Sequence, residues 1–242
     1  MANFKNYLNS YIGVFTFFLS LFFPLFIHAQ IADTSAYLQE VKKELNAVWP
    51  KNRTINLVFH GHSVPAGFWD KHEVHTLESY PNLVLKLLKQ KYPYAVINVI
   101  VTAIGGENSV KGASRFEKDV LTHNADVIVI DYALNDRFTG LDKTREATEN
   151  MIRMAQSKNI KVILVTPSPD QRIDISDPQN PLDPYAGQIR ELAEKYGTGL
   201  SDPYSRFKEI VKQGKLKHVM ASVNHPNEDG HSIIAATIFS YF

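Results

Sequence analysis

The 242-residue chain contains no cysteine. That excludes a disulfide framework, a thiolate nucleophile, a thiolate zinc site and a lipid-modified cysteine. An excess of charge of one sign is missing as well, because 26 Lys and Arg stand against 25 Asp and Glu. There is accordingly no basic footprint for nucleic acid and no acidic tail. Internal repeats and low-complexity tracts are absent too. Any nucleophile must be found among other residue types, and the partners expected of so neutral a chain are neutral molecules.

Long apolar runs are confined to the first 29 residues, where Lys5 is the only charge and residues 11–27 are almost unbroken Phe, Leu and other apolar side chains. A basic start, an apolar core and Ala29 before Gln30 form a secretory-signal pattern with cleavage after Ala29. A retained membrane helix is the competing reading, since the run approaches a spanning length. Pro24 interrupts it, however, and no basic stop-transfer flank follows His28. The expectation is a signal peptide over 1–29 and an exported, periplasmic or secreted protein with no stable membrane anchor. Residues 30–242 suffice for one domain with a sizeable core. Removing Lys5 with the leader leaves acidic and basic residues equal in number.

What is present is an alternation. Residues 55–59, 95–101, 126–130 and 160–165 are short apolar runs rich in β-branched side chains and read as buried parallel strands. Helix-like stretches follow them at 79–91, 110–121, 142–158, 183–196, 203–213 and 227–242, with a short fifth strand expected at 199–201. Strand and helix in turn predict a doubly wound α/β sheet. Ligands of such sheets bind beyond the carboxyl ends of the strands. The irregular, Pro- and Asp-rich stretch 167–184 leaves the fourth strand at that end and is a candidate wall of a cleft.

Four segments at those strand ends carry chemistry. After the first strand comes Gly61-His62-Ser63, a Ser past a buried strand with Gly at the turn. After the second comes Ile104-Gly105-Gly106-Glu107-Asn108, where glycine permits an outward backbone N–H. After the third comes Ala133-Leu134-Asn135-Asp136, whose Asn has an amide to donate. Before the last helix stands Asn224-His225-Pro226-Asn227, with Gly230-His231 following. Singly these read as a helix cap, a turn, an Asx-turn and a structural histidine. Together they fall in order at one end of one sheet.

In these blocks the chain resembles the SGNH (GDSL-like) hydrolase superfamily. Gly61-His62-Ser63 is similar to its nucleophile block, Gly106 to its second-block glycine, Asn135 to the asparagine of the third and His225 to the histidine of the last. The resemblance implies a flavodoxin-like three-layer α/β/α sandwich with a parallel sheet of about five strands. It also implies a serine esterase in which His225 takes the proton of Ser63. The oxyanion hole would be the N–H groups of Ser63 and Gly106 and the Asn135 amide. No metal or organic cofactor is required. Two positions depart from the pattern: Ala133 replaces the usual Gly, and Ser222 replaces the Asp that orients the His. The Ser222 hydroxyl, a backbone carbonyl and Asp229 are the available substitutes. Asp229 is equally explained by the dipole of the last helix, so the expectation is a Ser63–His225 dyad oriented by a neutral acceptor.

Two other functions compete. A metallohydrolase would use the histidines clustered near the site (His60, His62, His72, His75, His218, His225 and His231). Yet His72-Glu73-Val74-His75 lacks zincin spacing, no acidic cluster lies near His60 and His62, and chelators would discriminate. A catalytically inactive carbohydrate-binding protein of the same fold has no need of all four block residues, and a fluorophosphonate would not label it. Export, neutrality and the family's polysaccharide deacetylases point to a small-molecule or polysaccharide ester, with acetyl as the acyl group. Phe68, Trp69 and Tyr80 are candidates for stacking on a sugar, and packing beneath a loop explains them equally.

Overall fold

The computed structural model describes residues 30–242; the leader read from the sequence lies outside them. The strands are β1 (Thr54–Gly61), β2 (Val96–Val101), β3 (Val127–Asp131), β4 (Lys161–Val165) and β5 (Gly199–Ser201). They form one all-parallel sheet in the order β2-β1-β3-β4-β5. That is the flavodoxin-like order, in which the chain reverses direction across the sheet between β1 and β3. The helices are α1 (Gln39–Leu45), α2 (Ser63–Ala66), α3 (Tyr80–Lys91), α4 (Ser109–Asp119), α5 (Ala133–Asp136), α6 (Leu141–Ser157), α7 (Asp183–Tyr196), α8 (Pro203–Lys212) and α9 (Glu228–Phe239).

The pleat of the strands divides the apolar side chains between two cores. Along β3, Val127 and Val129 face a core with Leu88 of α3, Phe207 of α8 and Ile234 of α9. Ile128 and Ile130 face the opposite core with Phe116 of α4, Ile152 of α6 and Leu192 of α7. This is the three-layer α/β/α sandwich that alternation of strand and helix predicts. β2 differs from the expected fully buried strand: it is the edge of the sheet, and Val96 and Val101 stay 47% and 36% exposed. An edge strand has a neighbour on one side only, so its apolar run is only partly covered. The short α1, α2 and α5 carry too few residues to show a helical period and are additions to the sequence reading.

Candidate active site

The site lies at the carboxyl edge of the sheet, at the β1/β3 switch. In three of its loops a polar side chain caps the helix that follows. His62 accepts the Val64 N–H at the start of α2, Asn108 the Lys111 N–H at the start of α4, and Asn227 the Gly230 N–H at the start of α9. Such a cap satisfies an otherwise orphaned donor and fixes where the helix starts, worth about 1 kcal/mol each. β1 and β3 approach so closely before the nucleophile turn that a Cβ at Gly61 would sit 2.4 Å from the Asp131 carbonyl oxygen. Only glycine fits there.

Ser63 is the first residue of α2, and its Oγ lies 2.9 Å from His225 Nε2. The other ring nitrogen, Nδ1, lies 3.0 Å from the Trp69 carbonyl oxygen and 3.1 Å from Ser222 Oγ. A carbonyl can only accept, so Nδ1 carries the proton and Nε2 presents its lone pair to the Ser63 hydroxyl. That is the tautomer of a general base. Burial holds the His225 pKa below the ordinary histidine value; the bond to Trp69 opposes this, and His62 and His72 add to it. Asp229 is exposed and makes no hydrogen bond to His225 among the described residues; its place on the first turn of α9 directs it elsewhere.

The Trp69 carbonyl is delivered by a small hairpin that follows α2 directly. Gly67, at φ +86°, ends that helix. Phe68 then bridges Val74, Trp69 N–H donates to the Glu73 carbonyl at 2.9 Å, and Glu73 N–H returns to the Asp70 carbonyl at 3.0 Å. At the tip Lys71 and His72 have φ of 49° and 65°. Two left-handed residues in a two-residue turn match the twist of a hairpin, although glycine or asparagine is usual there. The Trp69 indole stacks on His75 at 4.4 Å and lies 6.4 Å from the His231 ring. No pattern of residue types announces a particular backbone carbonyl, so this contact is legible only in three dimensions.

On the other side of Ser63, Gly106 has φ +78°, where glycine alone is unstrained, and a Cβ there would meet nothing within 4 Å. Neither the Gly106 N–H nor the Ser63 N–H donates to a protein acceptor among the described residues. Asn135 gives one amide hydrogen to the Glu107 carbonyl at 2.9 Å, which locks its side chain against the Gly106 loop and leaves the second hydrogen to donate. Ala133, buried at 1% exposure, belongs to the core under α6 and α7.

Behind these groups lies a buried polar layer. His62 Nε2 is 3.4 Å from Asp131 Oδ1, and Tyr80 donates its hydroxyl to Asp131 Oδ2 at 3.1 Å. Asp136, beside Asn135, accepts the Ser109 N–H at 2.7 Å; burial pushes its pKa up to about 6. His231 accepts the Tyr80 N–H, and burial pushes it down to about 3. Tyr80 is wholly buried, which leaves the packing reading of that residue and removes the sugar-stacking one, whereas Phe68 and Trp69 stay partly exposed. His60 is bound by Thr102, Gly112 and Tyr132, and burial pushes it down to about 4. Among the described residues no group of three His, Asp or Glu side chains converges on a metal position.

Only the start of the 167–184 stretch reaches this site. Gln171 donates its N–H to the Val223 carbonyl at 2.7 Å and its amide to the Ser222 carbonyl at 2.8 Å. Farther on, Ile175 and Leu182 turn inward and are fully buried.

Comparison with known proteins agrees with this architecture. A model of the GDSL-like lipase/acylhydrolase family matches residues 59–233. An acetylxylan esterase of Geobacillus stearothermophilus is 24% identical over 168 residues, covering 64% of this chain and 77% of that protein. Among solved structures, a two-domain esterase active on acetylated mannans superposes with a TM-score of 0.71 at 22% identity, over 88% of this chain. The chain spans 53% of that two-domain protein, and the likeness is one of fold. An acetyl xylan esterase superposes with a TM-score of 0.66 at 27% identity, over 77% of this chain and 98% of that one.

Proposed function

The chain belongs to the GDSL-like lipase/acylhydrolase family and is a carboxylic-ester hydrolase, and from that premise we propose that it removes acetyl groups from esterified carbohydrates by a Ser63–His225 dyad. The observation that carries this reading is the 2.9 Å contact between Ser63 Oγ and a His225 whose Nδ1 proton is engaged by the Trp69 carbonyl.

His225 Nε2 takes the Ser63 hydroxyl proton as Oγ attacks the acetyl carbonyl carbon. The negative charge gathers on the carbonyl oxygen, where the N–H groups of Ser63 and Gly106 and the free Asn135 amide hydrogen receive it. Donors held in place before the oxyanion forms stabilise it without reorganisation. The intermediate then expels the sugar oxygen, which leaves with the proton from Nε2, and an acetyl-Ser63 ester remains. Water, deprotonated by His225, attacks that ester in a second pass through the same hole and releases acetate. Ser222 and the Trp69 carbonyl are both neutral, so the transient imidazolium is stabilised by dipoles rather than by a carboxylate.

The choice of acetylated carbohydrate rests on the relatives that act on acetylated xylan and acetylated mannan. Action outside the cytoplasm rests on the apolar leader, and exported protein should begin at Gln30 by intact mass. The decisive experiment joins fluorophosphonate labelling to a substrate panel. Labelling at Ser63, release of acetate from acetylated glycans and a preference for aryl acetates over long-chain aryl esters are expected. A protein that is not labelled at Ser63 is not this enzyme, and a preference for long chains would make it a lipase.

A further inference from the structure

Phe138 is 76% exposed, although it lies one turn beyond Asn135 at the edge of the candidate site. Its backbone is fixed there, because its N–H donates to the Asn135 carbonyl at 3.2 Å. A phenyl ring left in water contributes little to folding, since the hydrophobic gain comes from area removed from water. The ring is nevertheless held. The Arg137 guanidinium lies 4.4 Å from its centroid, and that guanidinium is itself immobilised. It donates to Asp170 Oδ2 at 2.5 Å and to the Leu134 carbonyl at 2.8 Å, with the Arg137 and Asp170 side chains 7% and 1% exposed. Asp170 also takes Arg172 through Nε at 2.9 Å and Nη2 at 2.6 Å, so a second, exposed guanidinium is tied to the same carboxylate. The ring is thus supported by a planar cation and open to water over most of its surface.

We propose that Phe138 is the platform of a sugar-binding subsite next to the acyl-transfer centre, stacking on the apolar face of a sugar residue adjacent to the acetylated one. This deepens the carbohydrate reading of the site and rests on it. A sugar ring has a flat C–H face and a rim of hydroxyls, and Phe138 offers a flat apolar surface backed by the Arg137 guanidinium. An acyl chain would instead call for an enclosed apolar channel. Side chains three residues apart in a helical turn are separated by roughly 5–6 Å. A ring on Phe138 therefore lies about one sugar residue from the carbonyl that Asn135 would polarise. The enzyme accordingly reads a stretch of glycan rather than an isolated acetyl group.

The test compares Phe138→Ala, Phe138→Trp and the unaltered enzyme on partly acetylated xylo- and manno-oligosaccharides and on 4-nitrophenyl acetate. Phe138→Ala should raise KM for the oligosaccharides roughly three- to tenfold, the size of one aromatic stacking contact. The aryl ester should be affected much less, and Phe138→Trp should restore oligosaccharide binding. Equal losses on both substrates would show that the ring only supports the oxyanion site and would overturn the proposal. So would an unaltered KM in Phe138→Ala when the unaltered enzyme deacetylates the glycans, and then the platform alone fails. If the unaltered enzyme cleaves the aryl ester but no acetylated glycan, the carbohydrate reading fails and takes the platform with it.

Discussion

His225 Nδ1 lies 3.0 Å from the carbonyl oxygen of Trp69, a residue 156 positions earlier in the chain. The base of the proposed dyad is therefore oriented by the backbone of the segment that carries Ser63, since the hairpin holding Trp69 begins where the Ser63 helix ends. Ser222 occupies the family's carboxylate position and contributes a second, neutral partner at 3.1 Å.

From this pairing, Ser222→Ala should keep most of the activity, because the Trp69 carbonyl still holds the Nδ1 proton. Asp229→Asn should keep it as well. Loss of a true triad carboxylate typically costs about 10⁴ in kcat, so a collapse of that size in Asp229→Asn would sink the dyad and name the missing member. Ser222→Asp should hold or raise kcat by placing a charge beside Nδ1. Steady-state kinetics on 4-nitrophenyl acetate measures all three.

The proposed oxyanion hole gives a second expectation. Asn135→Ala should lower kcat by about 10²–10³ with a much smaller change in KM, because its free hydrogen meets the substrate oxygen chiefly when charge has developed there. An unchanged kcat would put the oxyanion elsewhere.

Burial lowers the His225 pKa, and only the neutral imidazole can accept the Ser63 proton. Activity is thus lost as pH falls through the lowered value and is full above it. The acid limb of kcat/KM should lie below the ordinary histidine value of about 6.5. A limb above that value would mean that a hidden carboxylate faces the imidazole.

His62 offers a test of the layer beneath the nucleophile. Its Nδ1 accepts the Val64 N–H at 3.2 Å, and the ring is fully buried against Asp131. His62→Ala leaves the buried Val64 N–H unsatisfied, at a cost of roughly 1–3 kcal/mol for a buried polar group. It should lower both the thermal midpoint and kcat. His62→Asn keeps a capping oxygen and should retain more of each, so equal damage from the two variants would deny the cap its role in setting Ser63.

The sequence by itself determined the layered α/β architecture, because continuous apolar runs of strand length alternating with amphipathic stretches have few other ways to bury their surfaces. It also determined which four loops could hold chemistry, since the Ser63, Gly106 and Asn135 blocks follow the first three strands and the His225 block precedes the last helix. It gave no sign of β2 as a half-exposed edge, for strand order is set by which helices cover which face. Tyr80 read equally as a sugar-stacking residue or as packing beneath a loop, and it is core, its hydroxyl spent on Asp131. Above all, only the tertiary structure decided what orients His225. A carboxylate would have been visible as a residue type, whereas every residue but proline carries the same N–H and C=O. Which carbonyl meets Nδ1 depends on where a hairpin with two left-handed residues folds back.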